Sequence, residues 1–493
     1  MLVSLDAYAS NTDLPDITES KKTETDLGCT PELFDHQENR QERHVTLVTE
    51  KDIDQYQGDE IHATSHKNDS LYGLSLQVSY IPSSTRFLYL DEEGRRFMSY
   101  FERKVSKELS FGKLSTNYFI NTFVTISEYD ETIMNALAAW GGMFLKRIEK
   151  DISFSKFINK VQEYFTNLSS QMSSKEAIMN YLCLNSVLMG FFICAGDTYY
   201  WNIMFQNCVS VIESAGGISE ILILYDNSNH IKFLVSNLQY HDVMRSSALI
   251  TGTVFPVLAY EQFFSHSHTE NEGHYGLDPI MGPLRPLCFV LGDIINSILL
   301  IKEEERIFSD CLDNFQVEKD FNNADFLQLK INYFDFVENI GESLKEKIEN
   351  CALEKLDICP NHEDFKFQET SFSLYKNTCW LYWYLYIKRI PPVSIEVRRL
   401  VFTSQSYIKV LIESGCNIGL CLPLIVVGIS CIFDTDRVAM TFLFKEITGK
   451  SPVNNVNKAW TIVQQSWSMN PKGCLCINWG DICCMNGWKF CAS

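Results

Sequence analysis

Hydrophobic residues recur at intervals of three and four through most of the chain beyond about residue 88 and almost nowhere alternate in twos, which predicts helices rather than strands. Ile178, Tyr181, Leu182, Leu188, Met189 and Phe192 lie on one broad face, so 175–195 reads as a helix that Gly196 stops. Asp197 is placed to cap the next helix, whose buried side carries Trp201, Phe205, Cys208, Val209 and Ile212 before Gly216 and Gly217 end it. Two helices joined by so short a turn form a hairpin. A third helix, about 231–247, puts Ile231, Leu234, Val235 and Leu238 on one stripe and then carries that stripe into His241, Asp242 and Arg245. Polar groups stand there where apolar ones are due.

The same reading applied along the chain predicts helices over 88–111, 127–147, 154–168, 287–307, 371–389, 393–413, 420–433, 434–444 and 457–467. In the second of these Ser127 and Asp130 are capping candidates and Ile133, Leu137, Trp140 and Phe144 form the apolar stripe. Its small residues Ala136, Ala138, Ala139, Gly141 and Gly142 allow close approach of another helix. They are no phosphate loop, since no strand precedes them and no Lys-Ser/Thr follows. The aromatic stretch 371–389 is apolar nearly all round and predicts deep burial, with Pro391 and Pro392 ending it. The expected fold is all-α, a large array of packed helical hairpins in a single domain over 80–493. Residues 310–370 are more polar and read as a surface insertion, and 1–79, with no sustained apolar period, as a disordered linker.

Four stretches carry a family likeness: CAGDTYYW at 194–201, SAGG at 214–217, LQYHDVMRSS at 238–247 and YGLDPIMGPLRPL at 275–287. With CLPLIVVGISC, DTDRVAMTFLF and the spaced Trp467, Trp479 and Trp488 near the end, their order resembles the regulatory domain of fungal zinc-cluster transcription factors, in the branch that responds to amino acids and related nitrogen compounds. The likeness extends over 88–489. It implies a nuclear transcription regulator that senses a small amino-acid-like effector and works with a second copy of itself or with other transcription regulators. In that family six cysteines near the N-terminus hold two zinc ions and read DNA. Here the first 182 residues contain one cysteine, Cys29, so DNA contact is expected only through a module not present in these residues, and zinc only there.

Composition agrees with a protein that does not wrap nucleic acid by itself. A net charge of −20 over 493 residues opposes phosphate binding, which depends on Lys and Arg displacing counterions. A hydrophobic share of 46% suffices for a large core. Of the 17 cysteines, Cys183, Cys194, Cys208, Cys288, Cys421 and Cys431 fall singly in apolar helical stretches, where a free thiol acts as a small hydrophobe. The first ten residues lack a secretory pattern, so a reducing compartment without disulfides is expected. The apolar run 418–433 is shorter than the ~20 residues of a spanning helix and contains Pro423 and Gly428, so no membrane segment is expected.

Candidate chemistry is sparse. Cys474, Cys476, Cys483, Cys484 and Cys491 could supply thiolates to a metal, but their spacing does not suit a tetrahedral knuckle, and packed or exposed free thiols are the plainer reading. His266, His268 and His274 with Glu270 and Glu272 sit in a polar, turn-like stretch that reads as a solvated loop. No GxSxG, HExxH, GxGxxG or Walker pattern occurs in a fitting context, so no enzyme is expected. The set that suggests a small-molecule pocket is Tyr240, His241, Asp242 and Arg245 with Asp278 and Arg285. A guanidinium beside aromatics grips carboxylates, whereas a purely structural hydrogen-bond network joining two helical layers uses the same residues. A helical scaffold or corepressor without DNA binding, and an α-helical metalloenzyme, remain as alternatives.

Overall fold

In the computed structural model the described residues are 87, 89–110, 117–167, 174–249, 251–264, 278, 280–317, 323–353, 362–415, 417, 419–450 and 453–493. They are helical, and among them the only β pairing is the isolated bridge between Asp278 and Gly282. The predicted linker 1–79 and the histidines of 266–274 lie outside the described residues.

The N-terminal half begins with α1 (Glu92–Tyr100), which continues through a wider π-helical stretch, Phe101–Val105, into Ser106–Glu108. It is followed by α2 (Phe119–Val124 and Thr125–Ser127), α3 (Glu131–Leu145) and α4 (Ser155–Asn167). Asp130 caps α3 by accepting the amides of Thr132 and Ile133 at 2.9 and 3.1 Å, whereas Ser127 belongs to the end of α2. The small residues of α3 do what their size permits. A Cβ on Gly141 would lie 2.0 Å from the Phe97 carbonyl oxygen, so α1 and α3 meet at backbone contact.

The hairpin follows as α5 (Lys175–Ala195) and α6 (Tyr200–Ser214). Gly196 at φ +76° is the left-handed residue that closes α5, with the Asp197 amide donating to Phe192 O at 2.9 Å. Asp197 Oδ1 then accepts the Tyr199, Tyr200 and Trp201 amides. Among the described residues α5 has the length and apolarity of a membrane span, but its side chains are mostly buried inside the fold.

Short α7 (Ile218–Leu224) leads to α8 (Asn229–Leu249), then α9 (Val257–Phe264). The sequence predicts a one-sided stripe for α8; the structure corrects this, because all sixteen residues from Phe233 to Ala248 are buried. The cause is position. α8 is packed by α2, α5, α6 and α7 from the N-terminal half and by elements of the C-terminal half.

That half contains α10 (Arg285–Val317), α11 (Asn323–Asn350), α12 (His362–Tyr382, continued by a π-helical Trp383–Ile387), α13 (Ile395–Glu413), α14 (Cys421–Ile429), α15 (Asp434–Lys450), α16 (Asn455–Met469) and α17 (Trp479–Met485). α10 and α17 pack most extensively on α8, and α12 reaches it through Tyr375 and Tyr382. The polar stretch 310–370 supplies the end of α10, all of α11 and the start of α12. α11 rejoins the core through buried Leu344 and Ile348, and Trp383 Nε1 donates to Gly341 O at 2.8 Å. The six cysteines in apolar stretches are all free and buried.

The chain end closes onto the hairpin. Lys489 N donates to Thr198 O at 2.9 Å, Trp201 Nε1 donates to Lys489 O at 2.5 Å, and Asn454 N donates to Cys194 O at 2.8 Å. Asn455 Nδ2 donates to the Ser493 carbonyl.

Candidate functional site

A wholly enclosed helix must find partners for each polar group it carries, and α8 carries Ser236, Asn237, Gln239, His241, Asp242, Arg245, Ser246 and Ser247. Asp242 is the best supplied. Its carboxylate accepts the Val254 amide at 2.8 and 3.0 Å and the Phe255 amide at 3.3 Å, and the Tyr260 hydroxyl donates to it at 3.4 Å. Ser246 Oγ reaches Gly252 O at 2.6 Å, and Asn296 of α10 holds the Thr253 amide at 3.0 Å. These bonds strap the 251–256 connection between α8 and α10. Burial pushes the Asp242 carboxyl up to about 6, against the pull of those amides and of Arg245.

Asp278 forms a second clamp. Ser236 Oγ donates at 2.8 Å to each of its oxygens, and the Ile280 and Met281 amides donate to Oδ1 at 2.9 and 2.8 Å. Ser236 and Asp242 stand six residues apart on α8, roughly 9 Å along the axis. The structure therefore divides the predicted set into two carboxylate centres.

The remaining predicted residues take different surroundings. Tyr240 meets the Tyr375 hydroxyl, which itself donates to Gly419 O at 2.6 Å. His241 Nδ1 donates to Asn237 O at 2.8 Å, and burial pulls its pKa down to about 4, leaving the ring neutral. Arg285, at the start of α10, is half-buried with its guanidinium 5.4 Å from the centre of the Phe289 ring.

Arg245 is the member with unmet demand. It is 8% exposed, and its guanidinium lies 5.0 Å from the centre of the Phe205 ring. Nη1 is 3.6 Å from Asp242 Oδ1, close enough for an ion pair and too far for a hydrogen bond. Neither Nε nor Nη1 has a hydrogen-bond partner. A buried guanidinium with free donors beside an aromatic face is chemically suited to a carboxylate ligand.

The sequence reading missed Ser236, Phe255, Tyr260 and Tyr375 as partners of this set. No local spacing points to them. Ser236 and Asp278 are 42 residues apart and Asp242 and Val254 are 12 apart, so only the fold joins them.

The C-terminal cysteines do not converge. Cys474 and Cys484 are exposed, Cys483 and Cys491 are buried, and burial pushes the latter two up to about 12, unfavourable to thiolate formation. Among the described residues no three His, Cys, Asp or Glu side chains are grouped to hold a metal ion.

The family signatures now have structural roles. CAGDTYYW makes the turn that receives the chain end, LQYHDVMRSS holds the 251–256 strap, and Asp278 of the YGLDPIMGPLRPL stretch locks the entry to α10. Comparison with known proteins agrees. The chain is 23% identical over 427 residues to the uncharacterized transcriptional regulatory protein C965.10 of Schizosaccharomyces pombe, covering 85% of this chain and 76% of that one. It is 22% identical over 425 residues to the transcriptional activator protein UGA3 of Saccharomyces cerevisiae, covering 78% and 75%. No solved structure matches. Residues 96–493 match the fungal-specific transcription factor domain, and the chain is a transcription regulator belonging to that family.

Proposed function

We propose that the helical body, residues 80–493, is the regulatory module of a nuclear factor that controls nitrogen or amino-acid genes in response to a small carboxylate-bearing, amino-acid-like effector. DNA is reached through a zinc-cluster module or a partner and not through these residues; the net charge of −20 over the whole chain disfavours phosphate contact. The observation that carries the effector reading is Arg245, a buried cation with Nε and Nη1 unbonded against the Phe205 ring. A ligand carboxylate there would take up those donors and stand beside α8, the helix against which both halves of the domain pack.

Thermal unfolding of the purified chain against a panel of free amino acids and ω-amino acids tests this. A ligand at a hundredfold excess over its Kd stabilises the fold by about 2.7 kcal/mol. Arg245→Met, which retains the stem and removes the charge, should abolish the response without lowering stability in ligand-free buffer. An identical response from the Met variant sinks the assignment of Arg245, and silence across the panel favours a scaffold or corepressor.

A further inference from the structure

The α10–α11 hairpin has an outer face that nothing else in the described chain covers. The inner side of α11 is occupied: Tyr333 stacks on Phe308 of α10 with ring centres 4.9 Å apart, and Leu344 and Ile348 enter the core. On the adjoining side, roughly a quarter turn around the helix, Leu327, Ile331 and Phe334 are 58%, 43% and 63% exposed. Their spacings of four and three put all three on one stripe, the d, a and d positions of a heptad. Ile307 of α10, next to the stacking Phe308, is a further exposed apolar residue at that height.

Charge on the flanks identifies the partner. Lys330 precedes Ile331 on one flank (position g) and Asp335 follows Phe334 on the other (position e). Several charges on this hairpin are paired within the chain: Arg306 with Glu303 and Asp310, Lys345 with Glu342, Lys347 with Asp293, and Glu338 with Lys388. Lys330 and Asp335 have no ion-pair partner among the described residues. Lys330 is only set over the Phe326 ring, its Nζ 4.1 Å from the ring centre. In two parallel helices a g residue meets the e residue five positions further along its neighbour. Lys330 and Asp335 are five positions apart and opposite in charge. An antiparallel pair would instead bring like flanks together.

We propose that α11 is a self-association surface on which two copies of this chain pair in parallel about a two-fold axis. Leu327, Ile331 and Phe334 form the seam, and Lys330 of each copy faces Asp335 of the other. The stripe gives way to Glu338 and Gly341 at the next a and d positions, so the contact is short and reversible, with a Kd on the order of micromolar. This inference is independent of any effector at Arg245.

Sedimentation of the full chain from about 1 to 100 μM, spanning that Kd, should show a monomer–dimer equilibrium. Phe334→Glu, at an exposed position that leaves the fold intact by circular dichroism, should weaken it more than about tenfold. Lys330→Glu and Asp335→Lys should each weaken it severalfold, because each homodimer then holds two like-charge pairs. Mixing the two variants restores opposite charges at both contacts, so the mixture should dimerise like the parent chain. The proposal is overturned if the parent stays monomeric throughout, if Phe334→Glu associates unchanged, or if the mixture is no better than its components. Dissociation by Phe334→Glu with no effect of either charge variant would rule out the parallel register.

Discussion

α8 and α14 are both enclosed on every side, yet one is built largely from Ser, Asn, Gln, His, Asp and Arg and the other from Cys, Leu, Pro, Ile, Val and Gly. α14 asks little of its surroundings. Its side chains need only apolar neighbours, and the Trp467 indole donates to Gly428 O at 2.8 Å. α8 requires a named partner at nearly every turn, and some are missing: both ends of Gln239, Asn237 Oδ1 and two Arg245 nitrogens are buried without a hydrogen bond. Each such atom costs about 1–3 kcal/mol. The contrast teaches that α14 contributes cohesion while α8 sets register, through the clamps of Asp242 and Ser236.

The sharpest way to break the contrast is Asp242→Ala. It leaves the Val254 and Phe255 amides without their acceptor and Arg245 without its counter-charge, and the expected loss in urea unfolding is about 3–5 kcal/mol. Adding Arg245→Met should return more than about 1 kcal/mol of it, since the stranded cation leaves with its partner. A loss below 1 kcal/mol for the single variant, using that same scale, would show that the clamp does not hold the strap. Leu424→Ala in α14 should cost about 3 kcal/mol by cavity formation alone. That loss should be the same at pH 5 and pH 7, because no titrating side chain lies on α14 beyond Cys421, whose thiol burial raises well above its ordinary value.

Proton linkage separates the two helices further. Folded His241 titrates at about 4 against 6.5 when free, so between these values the unfolded chain binds a proton that the fold refuses, and stability falls as pH falls. Folded Asp242 titrates at about 6 against 3.8, so over that window the fold binds the extra proton and stability rises as pH falls. At about 1.4 kcal/mol per pKa unit each slope amounts to about 3 kcal/mol, and in the parent chain they largely cancel. His241→Gln should therefore grow more stable from pH 6 to 4, and Asp242→Asn less stable from pH 6.5 to 4, in chemical-denaturation midpoints. Equal profiles for both variants would refute the opposition.

How much could be read beforehand depended on where each signal resides. The ends of α5 and α6 were legible because their signals are local: Gly196, Asp197 and the Gly216–Gly217 pair act within a few residues of the backbone groups they satisfy. α10 was predicted ten residues short at its C-terminal end, since beyond Ile307 it leaves the core and its composition no longer distinguishes helix from loop. α7 and α17, seven residues each, are too short to complete an amphipathic period. The candidate residues on α8 were legible as polar intrusions on an apolar face, but their division into two clamps was not.

What the amino-acid order determined by itself was the helical character, the hairpin turns, the small-residue surface of α3 and the family, because caps, periodicity and side-chain size act over a few residues. Only the tertiary structure decided that α8 is enclosed all round, that Asp242 and Asp278 serve different connections, and that Arg245 keeps unbonded donors. Those outcomes depend on partners 12 residues away or more, whose proximity exists only after the helices have packed.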